Sequence, residues 1–190
     1  MSEYYTQYST DQLSKIGNTI IYFSERIQKL SKTKLLKLLY ILEEISIKRY
    51  GIPVLNLKFK TWKFGPVNED IFIELSSEAS LLKEYLIKNI EGENLYILPA
   101  HEFVDDEFSQ NDIDLMEYVI KEFGCRTAKE LIDYTHRPNS PWYNTAKKNN
   151  VLELLQNEVI NNTEFVIEME ELIQYDERKL SLYEDYKASL

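Results

Sequence analysis

The chain is 190 residues long, 44% hydrophobic, with five glycines and five prolines, which reads as one globular domain with little room for disordered linkers. Its formal charge of −10, from 22 basic and 32 acidic residues, argues against non-specific DNA binding as the main activity. A single cysteine, Cys125, excludes an internal disulfide, and with only two histidines the soft ligands of a structural zinc site are lacking.

Met1–Tyr5 carries no signal-peptide pattern, and no apolar run approaches the ~20 residues of a membrane span, so a cytoplasmic protein with no membrane partner is expected. Leu13, Ile16, Ile20, Phe23 and Ile27 predict a first helix over 11–29. Ser31 is placed to cap a second helix running to about Tyr50, with Leu35, Leu38, Leu39, Leu42 and Ile45 as its apolar stripe and Gly51 as its stop. Leu57, Phe59 and Thr61 alternate with Lys58, Lys60 and Trp62, the pattern of a half-buried strand over 57–63.

Trp62-Lys63-Phe64-Gly65-Pro66-Val67 then reads as strand, sharp turn and helix, because Gly65 opens backbone angles closed to other residues and Asn68 is a capping residue. A helix is expected near 78–90, followed by a short strand at Leu95–Leu98 that is a natural partner for 57–63. Ser109 with Asp112 and Thr127 with Glu130 are capping-box pairs opening two helices, and Thr135-His136-Arg137-Pro138 ends the second of them. Ser140-Pro141-Trp142 restarts a helix, and two more helical stretches follow residue 151. The fold class expected is α+β, predominantly helical: a single compact domain with a small two- or three-stranded antiparallel sheet. A core over 1–150 would carry an acidic helical extension over 151–190, packed on or beside it.

Charge is unevenly spread. Residues 29–63 hold nine Lys/Arg against Glu43 and Glu44, and residues 151–190 hold ten Asp/Glu against Arg178, Lys179 and Lys187. Either the two stretches are neighbouring solvated faces that partly neutralise each other, or the acidic tail meets a basic partner. Glu168, Glu171, Asp176 and Glu177 are the candidates on that tail. They lack the alternating ligands and central glycine of a calcium loop, so no metal is expected. Trp62 and Phe64 are either interface anchors or turn residues packed on the helix over 33–50. His136 has Asp133 and Tyr134 nearby for general-base chemistry, but no serine elbow or reactive cysteine accompanies it, and capping of a helix end is the expected role. Cys125 is expected to be a buried, inert thiol. No Gly-rich phosphate loop is present, which counts against a nucleotide enzyme, and no cofactor is expected.

Several of these marks stand in one order: Thr33-Lys34-Leu35-Leu36-Lys37-Leu38-Leu39-Tyr40, then Arg49-Tyr50-Gly51-Ile52-Pro53, then Trp62 through Val67, and later Phe108-Ser109, Thr135-His136 and Pro141-Trp142. This order resembles the SocA-like, or Panacea, antitoxin domain of bacteria and phages, over roughly residues 15–148. Leu36 stands where the family usually has Gln, and Phe64 where it usually has Tyr. The resemblance makes Lys34, Lys37, Tyr40, Trp62, Gly65, Pro66, Thr135, His136, Pro141 and Trp142 the defining motif residues. It implies a non-catalytic antitoxin of a two-gene system, neutralising a neighbour-encoded toxin by direct binding. The toxin is expected to be basic, and Trp142 joins Trp62 and Phe64 as a partner-binding candidate. Some relatives implied by the resemblance deliver the toxin to an AAA+ protease, and antitoxins often bind operator DNA, so both stay open as partners.

Overall fold

The computed structural model describes residues 8–188. Met1–Tyr5, read above for the absence of a signal peptide, lie outside that range. Local capping chemistry sets most element boundaries. Helix α1 (Thr10–Arg26) starts where the Ser9 hydroxyl accepts the Gln12 N–H at 3.1 Å. Helix α2 (Lys32–Tyr50) starts where Ser31 Oγ accepts the Lys34 N–H at 3.3 Å, and it stops at Gly51 with φ +79°. Strands β1 (Lys60–Trp62) and β2 (Gly65–Val67) form a hairpin, and Asn68 Oδ1 accepts the Ile71 N–H at 2.9 Å to open α3 (Glu69–Ser76). Strands β3 (Leu86–Glu91) and β4 (Asn94–Pro99) form a second hairpin.

Both capping boxes form reciprocally, Ser109 with Asp112 for α4 (Gln110–Phe123) and Thr127 with Glu130 for α5 (Ala128–Thr135). Ser140 caps α6 (Pro141–Lys148), with Pro141 in its first turn. A short α7 (Leu152–Gln156), a 3₁₀ turn (Met169–Leu172) and α8 (Glu177–Ala188) complete the chain.

The fold is α+β and mostly helical, with two two-stranded antiparallel sheets. Two expectations are corrected. The strand at 57–63 does not pair with 95–98: β1 pairs with β2 in the register Trp62↔Gly65, and β4 pairs with β3 in the register Glu91↔Asn94. The stretch near 78–90 is not a helix, because residues 77–85 are turns and 86–91 are strand. The physical reason is the same in both hairpins. A glycine with positive φ, Gly65 at +97° and Gly92 at +62°, closes a two-residue turn and joins the nearest strands in sequence.

The packing divides into two compact units, one holding residues up to Leu35 with Ile73–Cys125, the other Leu36–Phe72 with Arg126 onward. In the first, α1 packs on β3–β4 and α4, and the Ile97 N–H donates to Leu30 O at 2.8 Å. Lys34 Nζ donates to the carbonyl of Gly124, at the end of α4. Glu74 gathers the N–H groups of Ser80, Leu81 and Leu82 at 2.9–3.1 Å, ordering the turn before β3.

In the second unit, residues 36–47 of α2 are buried on every face, the signature of a central helix. Glu43 accepts the N–H groups of Val54, Leu55 and Leu57 at 2.7, 3.1 and 3.0 Å. Leu57, Phe59 and Thr61 then alternate inward as the sequence pattern requires. Residues 161–167 run beside β1: Ile167 N–H donates to Phe59 O, Thr61 N–H to Phe165 O and Lys63 N–H to Asn161 O, at 2.8–2.9 Å. The basic stretch meets the acidic tail here, with Lys60 paired to Glu164 at 2.6 Å and Lys63 to Glu158 at 3.0 Å.

Gly65 is the most constrained backbone position of the second unit. A Cβ there would lie 2.7 Å from Thr135 Oγ1 and 3.0 Å from Lys37 Cε, whereas one at Gly92 would meet nothing within 4 Å. Gly92→Ala should therefore cost about 1–2 kcal/mol from backbone angle alone, and Gly65→Ala clearly more, because the clash adds to the same angle penalty. Urea denaturation of the two variants side by side checks the order.

Candidate functional site

The β1–β2 turn is built by side chains that come to it from far along the sequence. Trp142 Nε1 donates to Trp62 O at 2.9 Å, His136 Nε2 faces Lys63 O at 3.1 Å, and Lys37 Nζ donates to Pro66 O at 2.8 Å. Trp142 and Lys37 are each 1% exposed, so these bonds are made away from water. The His136 ring lies edge-on to Trp142 with centroids 3.8 Å apart, and its Nδ1 faces Ile132 O at 2.7 Å. A neutral imidazole has one N–H, on one nitrogen or the other, so it donates to one of these two carbonyls at a time. Burial, the strongest influence, lowers the His136 pKa and keeps the ring neutral. His136 thus holds backbone groups at the end of α5, as expected of it.

Farther along α2 stands a charge network in which Glu44 alone is buried, its partners Arg137 and Lys48 being 30% and 41% exposed. Glu44 has a fully buried side chain and pairs with Arg137 and, at 2.5 Å, with Lys48. Arg137 also donates to Tyr134 O at 2.7 Å and lies over the Tyr134 ring, 4.0 Å from its centroid. Tyr40, one turn before Glu44, is fully buried, and burial followed by the Glu44 charge pushes its phenol well above the usual range. Sequence reasoning missed the Glu44–Arg137 pair, since residues 93 apart carry no local signal.

The partner-binding candidates separate in space. Trp62 is half-buried with its ring edge-on to Phe72, centroids 5.0 Å apart, while Phe64 at the hairpin tip is 57% exposed. Trp142 is a core residue and offers no surface. Asp176 caps α8 by accepting the Lys179 N–H at 3.1 Å, and Glu177 stands exposed in the first turn of that helix. Glu168 pairs with Lys148 at 3.3 Å, and Glu171 accepts from Asn144 Nδ2 at 3.1 Å. Phe165 and Val166, on the segment paired with β1, and Val159, just before it, are exposed apolar residues that no sequence pattern singled out. Cys125 is exposed, correcting the expected buried thiol; it follows directly on Gly124, at the end of α4. Among the described residues no group of three His, Cys, Asp or Glu side chains is arranged to hold a metal ion, and no helix is long and apolar enough to cross a membrane.

Comparison with known proteins now decides the family. The family described as "Antitoxin SocA-like, Panacea domain" matches residues 35–143, more than half of the chain. The chain belongs to this family. Antitoxin SocA of Caulobacter vibrioides (strain NA1000 / CB15N) is 26% identical over 113 residues, which cover 60% of this chain and 58% of that relative. The chain thus spans less than two thirds of the curated relative it matches. No solved structure matches. The SocA-like region begins at Leu35 and ends at Tyr143, so it takes in Lys37, Trp62, Gly65, Pro66, His136 and Trp142. These marks of the Panacea domain are hydrogen-bond and packing partners of one another. Leu36 is 4% exposed, so the apolar side chain fits a site where an amide would need buried partners.

Burial lowers the Lys37 ammonium from its ordinary 10.5 to about 7. The unfolded chain then binds a proton that the folded chain has released, so stability rises with pH between about 7 and 10.5, by up to about 1.4 kcal/mol per unit. Lys37→Met removes that ionisation. The stability slope between pH 7 and 9, below the tyrosine range, should flatten in the variant; an unchanged slope by urea denaturation would place the proton elsewhere.

Proposed function

We propose that this antitoxin-family protein neutralises a toxin encoded beside it by binding it directly in the cytoplasm, without catalysis. The observation that carries the reading is the set of exposed apolar side chains on the β1–β2 hairpin and on the chain that runs beside it: Phe64 at the tip, 57% exposed, with Val159 at 66%, Val166 at 46% and Phe165 at 39%. A rigid aromatic at a hairpin tip loses little entropy on burial, and apolar residues around it exclude water from a contact. The ion pairs Lys63–Glu158 and Lys60–Glu164 stand next in sequence to Phe64, Val159 and Phe165 and supply a polar rim. Trp62, Gly65 and Pro66 fix the turn that carries Phe64, whose exposed ring has the Lys63 ammonium 4.7 Å from its centroid.

The net charge of −10 favours a basic toxin by speeding its encounter. Promoter binding through the 29–63 stretch is not favoured, because Lys34 and Lys37 spend their ammonium groups on the carbonyls of Gly124 and Pro66. Nothing specific favours the protease-adaptor reading, and the same experiment tests it.

Co-expression of the adjacent open reading frame should be toxic alone and harmless with this protein. Toxicity that persists, or a harmless neighbour, overturns the reading; toxin that disappears faster in the presence of this protein identifies an adaptor. Phe64→Ala should abolish rescue and weaken binding by about 2 kcal/mol or more, with little change in melting temperature because the ring is exposed. Binding should also weaken as salt rises, measured by calorimetry at two ionic strengths.

A further inference from the structure

A cavity of about 210 Å³ opens between α6 and the 3₁₀ turn. Asn144, Thr145 and Lys148 line it from α6, Val166 from the segment beside β1, Glu168 from just after that segment and Glu171 from the 3₁₀ turn. It is smaller than the ~300 Å³ at which pockets for drug-sized ligands begin, so it suits one side chain rather than a small molecule. Its charges do not cancel. Lys148 is matched to Glu168 at 3.3 Å, and both are 70% exposed. Among the described residues Glu171 forms no ion pair; its partner is the neutral amide of Asn144, at 3.1 Å. Burial, the largest influence, pushes the Glu171 carboxyl above its ordinary range, the mark of a negative charge short of compensation.

Resting on the direct-binding reading above, we infer that this cavity takes one arginine side chain of the partner protein, with its guanidinium on the Glu171 carboxylate and its methylenes against Val166. Arginine fits better than lysine because its planar fork can bond a carboxylate twice while its stem covers apolar surface. Val166 is 46% exposed and also lines the cavity, so a partner lying on Val166 reaches Glu171 without a second docking event.

The test uses the full chain and the product of the adjacent gene, with affinity read by calorimetry. Glu171→Gln keeps an acceptor for Asn144 and removes the charge; it should lose tenfold or more in affinity at an unchanged or raised melting temperature. Glu168→Gln, already matched by Lys148, should change affinity by less than threefold. Val166→Trp, at an exposed position, should close the cavity mouth and lose affinity by a similar factor, which covers the case of a poorly folded Glu171 variant. Replacing the partner's arginines one at a time with alanine should find one whose loss costs tenfold against the wild type and nothing further against Glu171→Gln. Full affinity in both Glu171→Gln and Val166→Trp, or no coupled arginine, overturns the inference and leaves direct binding standing. A neighbouring product that does not bind the wild-type protein overturns direct binding and this inference with it.

Discussion

Three carbonyl oxygens in five residues of backbone depend on donors from elsewhere in the chain, and the second unit is organised around them. Trp62, Lys63 and Pro66 turn their carbonyls toward Trp142, His136 and Lys37, and two of those three side chains are almost wholly buried. A buried carbonyl left without a partner costs about 1–3 kcal/mol, so removing any one of these donors destabilises the turn out of proportion to its size. Pro66 has no N–H to offer a sheet, and Gly65 carries no side chain to obstruct Thr135, so the hairpin can press against α2 and α5 at a distance other residues forbid. The motif residues of the family are therefore two halves of one contact: the turn that presents the acceptors, and the lysine, histidine and tryptophan that supply donors.

The same constraint explains what was legible in the sequence. Caps are local chemistry, and Ser109–Asp112, Thr127–Glu130 and Ser140 with Pro141 were found at their places because each acts within four residues. The alternation of Leu57, Phe59 and Thr61 was equally plain. Strand pairing was not, because the apolar content of 81–90 suits a helix as well as a strand, and only Gly92 with Glu93 marks the hairpin. The 161–167 segment was invisible for a different reason: its order comes from backbone bonds to Phe59, Thr61 and Lys63, which impose no side-chain pattern on it. At the candidate site, the sequence grouped Trp62 with Phe64, and only three-dimensional packing separates the half-buried ring from the exposed one.

Burying so many charges needs its own account. Glu43 is satisfied by three backbone N–H groups, Glu44 takes Arg137 and Lys48 on Oε1 while its buried Oε2 has no hydrogen-bond partner, and Lys37 is met by a single carbonyl. Taking ions from water costs several kcal/mol each, and apolar residues would fill the same space at less cost. What the charged groups contribute instead is direction. An apolar side chain at 37 would accept any neighbour of suitable shape, whereas the Lys37 nitrogen, protonated or not, donates only to an oriented oxygen and so fixes which backbone atom sits opposite.

A scaffold specified this way leaves a particular kind of freedom. The residues that make the turn are consumed by it: Trp142 is in the core, His136 has both nitrogens against carbonyls, and Trp62 packs on Phe72. None can change to suit a new partner without disturbing the fold. Phe64 carries no such burden, and along the stretch from Glu158 to Glu171 it falls on the buried Ile167 and Met169 and on Thr163, whose hydroxyl donates to Thr61 O at 2.7 Å, leaving exposed side chains such as Val159 and Val166 outside it. Substitution there changes what is presented while the three donors keep presenting it in the same place. A chain whose turn residues are structural and whose exposed residues follow no sequence pattern can carry chemically different surfaces on one frame, so resemblance confined to those turn residues reports the frame alone.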